Sequence, residues 1–321
     1  MRAAKLHEHG GPEVLAVEDV ERPEPGHGEV LVEVAAAGVN PVDTSSRDGD
    51  YTRVGLPFTP GVDVSGTVAA VGEGVADLAE GDAVFGTGIG SAAHQGAYAE
   101  YAVVPQDRLV VLPEGVDLVE AGAAGVAAGT AWRALVEHAD LRPTEHCLVH
   151  GGSGGVGHAS VQIAAATGAT VVTTASPDYH DRLSELGADV VLDYGRDDLA
   201  DAVREASDGG VDVVLDHRLD DYLQFDANVS ATGARVVGIG ENDGAVGFDA
   251  VGAARSKDVS YQFMSLFNAP SLAAILESVG SLMAGGELTI DVERSYDLDD
   301  AADAQRDVMA ESFLGKLVLE P

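Results

Sequence analysis

Cys147-Leu-Val-His-Gly-Gly-Ser-Gly-Gly-Val-Gly-His158 is the stretch that decides the fold predicted for this chain. Gly152, Gly154 and Gly157 have the G-x-G-x-x-G spacing, which allows a tight turn, close approach of backbone to a pyrophosphate, and close packing of helix on strand. An apolar run precedes the turn and a small-residue helical pattern follows it. The stretch predicts strand, turn and helix, with a dinucleotide phosphate bound where the helix begins. The alternative is a purely structural turn, because the spacing alone has low specificity.

Strand and helix patterns alternate after the glycine turn. Such alternation predicts a parallel sheet covered by helices on both faces. The predicted strands are residues 170–174, 189–192, 211–215, 235–239 and 259–267, and the predicted helices are residues 179–186, 199–206, 222–229 and 271–283. Before the turn, the alanine-rich residues 118–138 predict a helix that is broken around residues 125–129, where glycines occur.

The N-terminal part of the chain has a different pattern. Residues 1–118 contain short apolar runs separated by glycine and proline, which predicts a small β-barrel-like unit. Within it, the polar segment from Asn40 to Gly55 is expected to be a loop. A strand at residues 316–319 is expected to return to this unit. The change of pattern puts the domain boundaries near residues 118 and 260.

The charge of the chain excludes one class of function. It has 54 acidic and 18 basic side chains, a formal charge of -36, and the acids are spread over every segment. A nucleic-acid-binding surface needs a basic stripe, so nucleic acid is not an expected partner. We interpret the charge as an adaptation to molar salt, where the Debye length falls to about 3 Å and carboxylate repulsion is screened. An ordinary acidic protein is the alternative.

Cysteine content and hydropathy set further limits. The single cysteine, Cys147, excludes an internal disulfide framework and a multi-cysteine zinc site, and its place in a strand pattern predicts a small buried apolar side chain. No apolar run approaches the roughly 20 residues of a membrane span, and the N-terminus lacks a signal-peptide pattern. We expect a cytoplasmic protein with no membrane partner.

Several motifs occur in a fixed order along the chain. They are Gly10-Gly-Pro-Glu-Val-Leu15, Ala37-Gly-Val-Asn-Pro-Val-Asp43, Pro57-Phe-Thr-Pro-Gly61, Gly96-Ala-Tyr-Ala-Glu-Tyr101, Gly129-Thr-Ala131, residues 149–157 and Gly315-Lys316. In this order the chain resembles the zinc-independent quinone oxidoreductase (zeta-crystallin-like) family of the medium-chain dehydrogenase/reductase superfamily. The resemblance implies an α/β fold in which a Rossmann doubly wound parallel sheet, residues 119–260, accompanies a β-rich GroES-like catalytic domain, residues 1–118 and 261–321.

The resemblance also bears on zinc. Zinc-dependent relatives have a cysteine in the loop occupied here by residues 42–45 and a Gly-His-Glu at Gly61-Val-Asp63, and neither is present. Zinc needs three or four N, S or O ligands, so we expect no metal. Asp63 is then expected to be a hydrogen-bonding core carboxylate.

The resemblance implies hydride transfer from a nicotinamide cofactor to a quinone or an activated alkene (an enone or enal). The expected site is a cleft between the domains. The implied catalytic residues are Asn40, Tyr51 and Arg47. For each there is a simpler alternative: a turn residue before Pro41, a pocket wall and a solvated surface residue, respectively. The implied cofactor contacts are Asn40, Thr130, Gly152, Ser153, Gly154, Gly155, Val156, Gly157, Ser176, His180, Tyr194, Gly240, Phe267 and Lys316.

The end of the second Rossmann strand bears on the choice of cofactor. Residues 173–177 contain no acid to bind the ribose diol of NAD, which favours NADP(H). Relatives surround the 2′-phosphate with a serine, a lysine and a tyrosine, which map to Ser176, His180 and Tyr194. Since histidine replaces the lysine, Arg182 is a candidate compensating cation, with an ordinary helix-face arginine as the alternative.

We therefore predict an NADPH-dependent quinone or alkene reductase. A zinc-free alcohol or sugar dehydrogenase is one alternative, and a non-catalytic NADPH-binding sensor or structural protein is another. A homodimer is expected, because relatives pair the strand at residues 259–267 with its copy in a second subunit. The alternative is an edge covered by a loop.

Overall fold

The structure is a computed structural model that describes residues 1–50, 55–91, 94–310 and 312–321. The strands are β1 (Arg2–Lys5), β2 (Ala16–Asp19), β3 (Glu29–Val39), β4 (Asp63–Val71), β5 (Ala83–Thr87), β6 (Tyr101–Pro105), β7 (Leu109–Val111), β8 (His146–Val149), β9 (Thr170–Ala175), β10 (Val190–Asp193), β11 (Val211–Asp216), β12 (Ser230–Gly238), β13 (Ser260–Phe263), β14 (Val292–Asp297) and β15 (Lys316–Glu320). The helices are α1 (Pro41–Asp48), α2 (Leu118–Trp132), α3 (Gly155–Thr167), α4 (His180–Glu185), α5 (Leu199–Ala206), α6 (Leu219–Val229), α7 (Gly252–Ser256), α8 (Leu272–Gly285) and α9 (Ala301–Ala310).

Two compact units divide the chain. Unit 1 contains residues 1–129 and 270–321, and unit 2 contains residues 130–269. The change of sequence pattern had placed the boundaries near residues 118 and 260, whereas the units divide within α2 and after β13. No helix in the described ranges is long and apolar enough to cross a bilayer.

Unit 2 is built on a parallel sheet of order β10-β9-β8-β11-β12-β13. The sheet runs outward in one direction from β8 to β10 and in the other from β11 to β13, which is the doubly wound arrangement. Its strands read as continuous apolar runs because both faces are buried, and Leu148, Val172, Val214 and Val236 are among the buried residues of its core. The predicted Rossmann-type α/β fold is confirmed. The carboxyl ends of β8 and β11 meet at the switch point, where open α/β sheets bind ligands.

Unit 1 contains a mostly antiparallel sheet. Its path is β14-β15-β3-β4-β5-β7, β6 pairs with β3, and β14 and β15 run parallel. β15 lies beside the end of β3, with Leu317 opposite Val39. The predicted return of the C-terminal strand therefore places Lys316 next to the start of α1.

Residues 41–48, which we expected to be a loop, form α1, so that expectation was wrong. Pro41 occupies the first helical position, Asp43 Oδ2 accepts from Asn40 N at 3.0 Å, and Gly49 ends the helix at φ 88°. These are ordinary helix start and stop signals. They outweigh the low hydrophobicity on which the loop assignment was based.

α2 runs from Leu118 to Trp132, so the predicted break at residues 125–129 was also wrong. Gly125 serves packing rather than termination, because a Cβ there would lie 2.4 Å from Asp63 Oδ1. A π-helical segment, Arg133–His138, follows α2. The strand predicted at residues 259–267 is shorter than expected, since β13 ends at Phe263 and a 3-10 turn, Leu266–Asn268, follows.

Candidate functional site

The glycine turn joins β8 to α3 at the carboxyl end of the parallel sheet. Gly151 has φ 66°, Gly154 is the extended N-cap residue, and α3 begins at Gly155. Gly152 N donates to Thr174 O at 2.8 Å and Gly154 N donates to Gly151 O at 3.0 Å. The first N–H groups of α3 have no partner within the helix, so they can bind an anion together with the helix dipole.

The three spaced glycines are required for different reasons. A Cβ on Gly152 would lie 2.2 Å from Thr173 Oγ1, and one on Gly157 would lie 2.0 Å from Gly151 O. A Cβ on Gly154 would meet nothing closer than 3.4 Å, and its backbone conformation is open to any residue. The packing of the chain explains the first and third glycines only. The space beside Gly154 fits a pyrophosphate that approaches the backbone closely.

Residues implied in 2′-phosphate binding come together after β9. Ser176 Oγ donates to Tyr194 Oη at 3.3 Å, and the Tyr194 side chain is exposed. His180 Nε2 lies 3.2 Å from Ala175 O, in the same loop. Arg182 pairs with Glu185 on an exposed face of α4, in agreement with the alternative of an ordinary helix-face arginine.

Asn40 and Lys316 belong to a buried polar cluster in unit 1. Lys316 Nζ donates to Asn40 Oδ1 at 2.5 Å and to Val39 O at 2.8 Å. Asn40 Nδ2 donates to Asp63 Oδ2 at 2.8 Å, while Asp63 Oδ1 accepts from Val126 N at 2.9 Å. Asp63 is thus a hydrogen-bonded core carboxylate, as expected. The Asn40 amide is fixed in one orientation by a lysine on one side and a carboxylate on the other.

Asp43 adds a second carboxylate to this cluster, and sequence reasoning missed it. Asp43 Oδ1 accepts from Val62 N at 3.0 Å, and Tyr98 Oη donates to Asp43 Oδ2 at 3.2 Å. Burial, with the nearby charge of Asp63, raises the pKa of Asp43 to about 7. Burial likewise raises the pKa of Asp63 and lowers that of Lys316, although the attraction between the lysine and the two carboxylates opposes both changes.

Arg47 is a buried side chain rather than a solvated one, with 5% exposure. Its guanidinium donates to Gly10 O at 2.9 Å, to Gln305 Oε1 at 2.7 Å and to Asp48 Oδ1 at 2.6 Å. These contacts connect α1 to the loop before β2 and to α9. The structure therefore gives Arg47 a role in positioning α1.

The remaining residues implied by the resemblance lie in unit 2 or outside the described ranges. Thr130 is buried in α2, and Gly240 follows β12. Phe267 lies in the 3-10 turn, and the Arg133 guanidinium donates to the carbonyl of Asn268 in that turn and to the carbonyl of Ser265 just before it. Ser153 and Val156 are partly exposed beside the spaced glycines. Tyr51 lies outside the described residues.

Sequence reasoning also missed a buried histidine and two buried aspartates in unit 2. His150 follows β8, Asp216 ends β11 and Asp226 lies on α6, and all three are buried. The available signal was an acidic residue, Asp216, at the carboxyl end of an apolar strand next to the predicted switch point.

The cluster around Asn40 does not fit zinc. Across the described ranges, no three His, Cys, Asp or Glu side chains form a group that could hold a metal ion. The position beside Asp63 is taken by an amide and a lysine ammonium, which repels cations.

Comparison with known proteins identifies the family. Residues 26–114 match the family described as alcohol dehydrogenase GroES-like domain, and residues 186–319 match the one described as zinc-binding dehydrogenase. The chain is 37% identical to the quinone oxidoreductase of Rattus norvegicus over 99% of this chain and 97% of that one. It belongs to the quinone oxidoreductase family of medium-chain dehydrogenases/reductases. The match to the Lama guanicoe quinone oxidoreductase, at 43% identity, spans 64% of this chain and 62% of that protein.

Solved structures agree with the family assignment. The quinone oxidoreductase of Escherichia coli complexed with NADPH has a TM-score of 0.90 at 28% identity, with both chains fully covered. A structure described as an NAD-dependent alcohol dehydrogenase has a TM-score of 0.94 at 31% identity, also with full coverage of both chains. The GroES-like fold of unit 1 is confirmed, and the chain is an enzyme of the oxidoreductase class.

Proposed function

We propose that this enzyme transfers hydride from NADPH to a quinone, or to an activated alkene such as an enone or enal, without a metal ion. The observation that carries the proposal is the glycine turn, where the space beside Gly154 is explained by a bound pyrophosphate and by no contact of the chain itself. The full-length similarity to quinone oxidoreductases supports the choice of acceptor.

NADPH rather than NADH is supported by the end of β9. Residues 173–177 provide no carboxylate for a ribose diol, and the Ser176 and Tyr194 hydroxyls lie together where a 2′-phosphate would accept hydrogen bonds. The bound cofactor supplies the hydride. The chain would bind the pyrophosphate at the start of α3, and the family resemblance implies that Asn40 contacts the nicotinamide.

A metal-free reaction is supported by Lys316. Its ammonium occupies the position beside Asn40 and Asp63 where a metal site would need a third ligand and a net negative charge.

Cofactor oxidation assays test the function directly. NADPH or NADH is mixed with the enzyme, and the absorbance of the reduced cofactor is followed with a quinone, an enone or an aldehyde in parallel. We expect NADPH to be consumed with the quinone or the enone. Turnover only with the aldehyde would instead support an alcohol dehydrogenase, and tight NADPH binding without turnover would support a sensor or structural protein.

Gly154→Ala tests whether the space beside Gly154 binds the pyrophosphate. The added methyl group fits the free protein but occupies the space assigned to the pyrophosphate, so NADPH affinity should fall roughly tenfold or more with unchanged stability. Gly157→Ala is the contrast, because it collides with Gly151 O and should destabilise folding.

Two further properties belong to the proposal. The charge of -36 supports an enzyme adapted to molar salt.

β13 is an edge strand of the parallel sheet, and its Phe263 side chain is 65% exposed. Both observations support a homodimer formed by pairing of two copies of this edge. Sedimentation of Phe263→Lys against the wild type tests the dimer, because a charge on both edges should favour the monomer.

A further inference from the structure

A buried group of two carboxyls and a histidine lies next to the glycine turn. His150 precedes Gly151 directly, while Asp216 and Asp226 come from β11 and α6. The side chains of His150 and Asp226 have no exposed surface, and Asp216 is also fully buried. The reaction proposed above uses none of these three groups.

The two carboxyls of this group have few hydrogen-bond donors. His150 Nε2 lies 2.8 Å from Asp226 Oδ1, and Asp216 Oδ1 accepts from Arg218 N at 2.7 Å. The Asp216 and Asp226 carboxyls are close enough to act on each other, and no donor in the described ranges reaches either Oδ2 atom. An ionised carboxylate can only accept hydrogen bonds. Two buried carboxyls that lack donors are more stable when one of them keeps its proton.

The electrostatics of the site agree with this geometry. Burial raises the pKa of Asp226 to about 8, and burial together with the charge of Asp226 raises the pKa of Asp216 to about 7. Burial lowers the pKa of His150 to about 4, so the imidazole is neutral. Two carboxyls in contact titrate as a pair, which keeps one proton through neutral pH.

The surroundings offer little compensation for a second negative charge. The hydroxyls of Tyr222 and Tyr261 lie near the pair, and His217 and Arg218 follow Asp216 in the chain. Burial lowers the pKa of His217 to about 4, and the Arg218 guanidinium pairs with Asp221. The His150 ring is held by stacking on Tyr222, with 4.2 Å between ring centroids.

The same residues determine the position of the turn. His150 N donates to Leu215 O at 3.1 Å, which connects the ends of β8 and β11. The His217 ring packs on Gly151, where a Cβ would lie 2.6 Å from His217 Cε1. A displacement of either histidine therefore moves Gly151, whose carbonyl accepts from Gly154 N.

We propose that Asp216 and Asp226 are positioning residues that share one proton beside the glycine turn, and that loss of this proton loosens the turn and weakens NADPH binding. The cause is the second buried negative charge, which has no donor to stabilise it and separates the ends of β11 and α6. The same charge also opposes the anionic pyrophosphate. The inference takes the identity of the ligand from the proposed function.

NADPH titrations between pH 7 and 9 at constant KCl concentration test the proposal. The 2′-phosphate loses its last proton at a pH of about 6, so the charge of NADPH is constant between pH 7 and 9. Any change of Kd in this range therefore comes from the protein. The wild-type Kd should rise roughly tenfold across it, as expected for one coupled proton over about one pH unit. Asp226→Asn keeps the shape and a donor but cannot ionise, so its Kd should stay constant.

The control variant is Asp208→Asn. Asp208 is an exposed residue of unit 2 with φ 50°, a conformation that asparagine accepts, so the change removes one charge away from the turn. Its Kd for NADPH should rise between pH 7 and 9 as the wild-type Kd does. A flat wild-type Kd, or an equal slope in Asp226→Asn, would overturn the proposal, and Asp216→Asn replaces Asp226→Asn if that variant does not fold.

Unfolding measurements separate this inference from the proposed function. The folded-state pKa of about 8 lies above the unfolded value of about 3.9, so the aspartate lowers wild-type stability progressively between these values as pH rises. The difference in Tm between Asp226→Asn and the wild type should therefore shift in favour of the variant from pH 5 to 8. A constant difference would refute the shared proton. If NADPH bound at no pH, the proposed function would fail while this comparison still tested the proton.

Discussion

At the scale of single residues, Lys316 shows how the cluster in unit 1 is balanced. It is one of three lysines in a chain with 54 acidic side chains, and it is buried. Burying an ammonium is costly unless it is paired and hydrogen-bonded. Its bonds to Val39 O and Asn40 Oδ1, and the nearby charges of Asp43 and Asp63, supply that compensation.

Lys316→Met should lower the free energy of unfolding by about 3 kcal/mol at neutral pH, because buried carboxylates then lose their counter-ion. The loss should shrink as pH falls below the Asp43 pKa of about 7, since a protonated Asp43 no longer needs that charge. Denaturant unfolding at several pH values measures both effects. Lys5→Met, at a partly exposed lysine, is the control and should change little.

Ser176→Asp should reverse the cofactor preference. A carboxylate at the end of β9 repels the 2′-phosphate and accepts hydrogen bonds from a ribose diol, so NADPH affinity should fall at least about tenfold while NADH affinity rises. Fluorescence titration with both cofactors measures the ratio. Ser184→Asp adds the same charge on the exposed side of α4 and should leave the ratio unchanged; equal losses of NADPH affinity in both variants would contradict the assignment.

At the scale of elements, the sequence predicted what depends on local pattern. The glycine turn, the alternation of strands and helices in unit 2, and the return of β15 follow from periodicity and turn residues close together in the chain. α1 was missed because its capping residues were weighed below its polarity. The burial of Asp43 and Asp226 could not be predicted, because it depends on contacts with residues distant in sequence, such as Tyr98 and His150. The two aspartates also do not stand out in a sequence with many exposed acids.

Gly125 links two elements of unit 1, and Gly125→Ala tests that link. A Cβ 2.4 Å from Asp63 Oδ1 must push α2 away from β4, so unfolding free energy should fall by roughly 2 kcal/mol. Thermal denaturation against the wild type measures the loss. Gly252→Ala, in α7, has nothing within 4 Å of the new methyl group and should be neutral or slightly stabilising. Equal effects of Gly125→Ala and Gly252→Ala would show that α2 can accommodate the added methyl group.

At the scale of the whole molecule, net charge is the main determinant of behaviour in salt. Many of its arginines pair with exposed carboxylates, and such surface pairs contribute little individually. The excess of acids over bases therefore leaves strong self-repulsion in dilute buffer. Salt screens this repulsion beyond the Debye length, which falls from about 10 Å at 0.1 M to about 3 Å at 1 M.

We expect the Tm to rise from dilute buffer to molar KCl, and differential scanning calorimetry measures it. NaCl at the same ionic strength is the control and should raise the Tm equally, because screening depends on ionic strength rather than on the cation. A Tm that does not change across this range would contradict the salt-adapted interpretation.

NADPH binding should respond to salt in the same direction. Cofactor and protein are both negative, so the long-range field opposes association in dilute buffer, and the Michaelis constant should fall as KCl increases. Steady-state kinetics measure it. A Michaelis constant for NADPH that increases steadily with KCl would show that short-range ion pairs with the cofactor outweigh the long-range repulsion.

The place of β15 in unit 1 imposes an order of assembly. All of unit 2, residues 130–269, precedes the strand that carries Lys316, so during synthesis the ribosome completes unit 2 before it makes β15. Until then β3 pairs with β4 and β6 but not with β15, and Asp43 and Asp63 have no ammonium beside them. Unit 2 can fold while unit 1 remains open at that edge. Protease protection of stalled nascent chains should therefore appear first in residues 130–269.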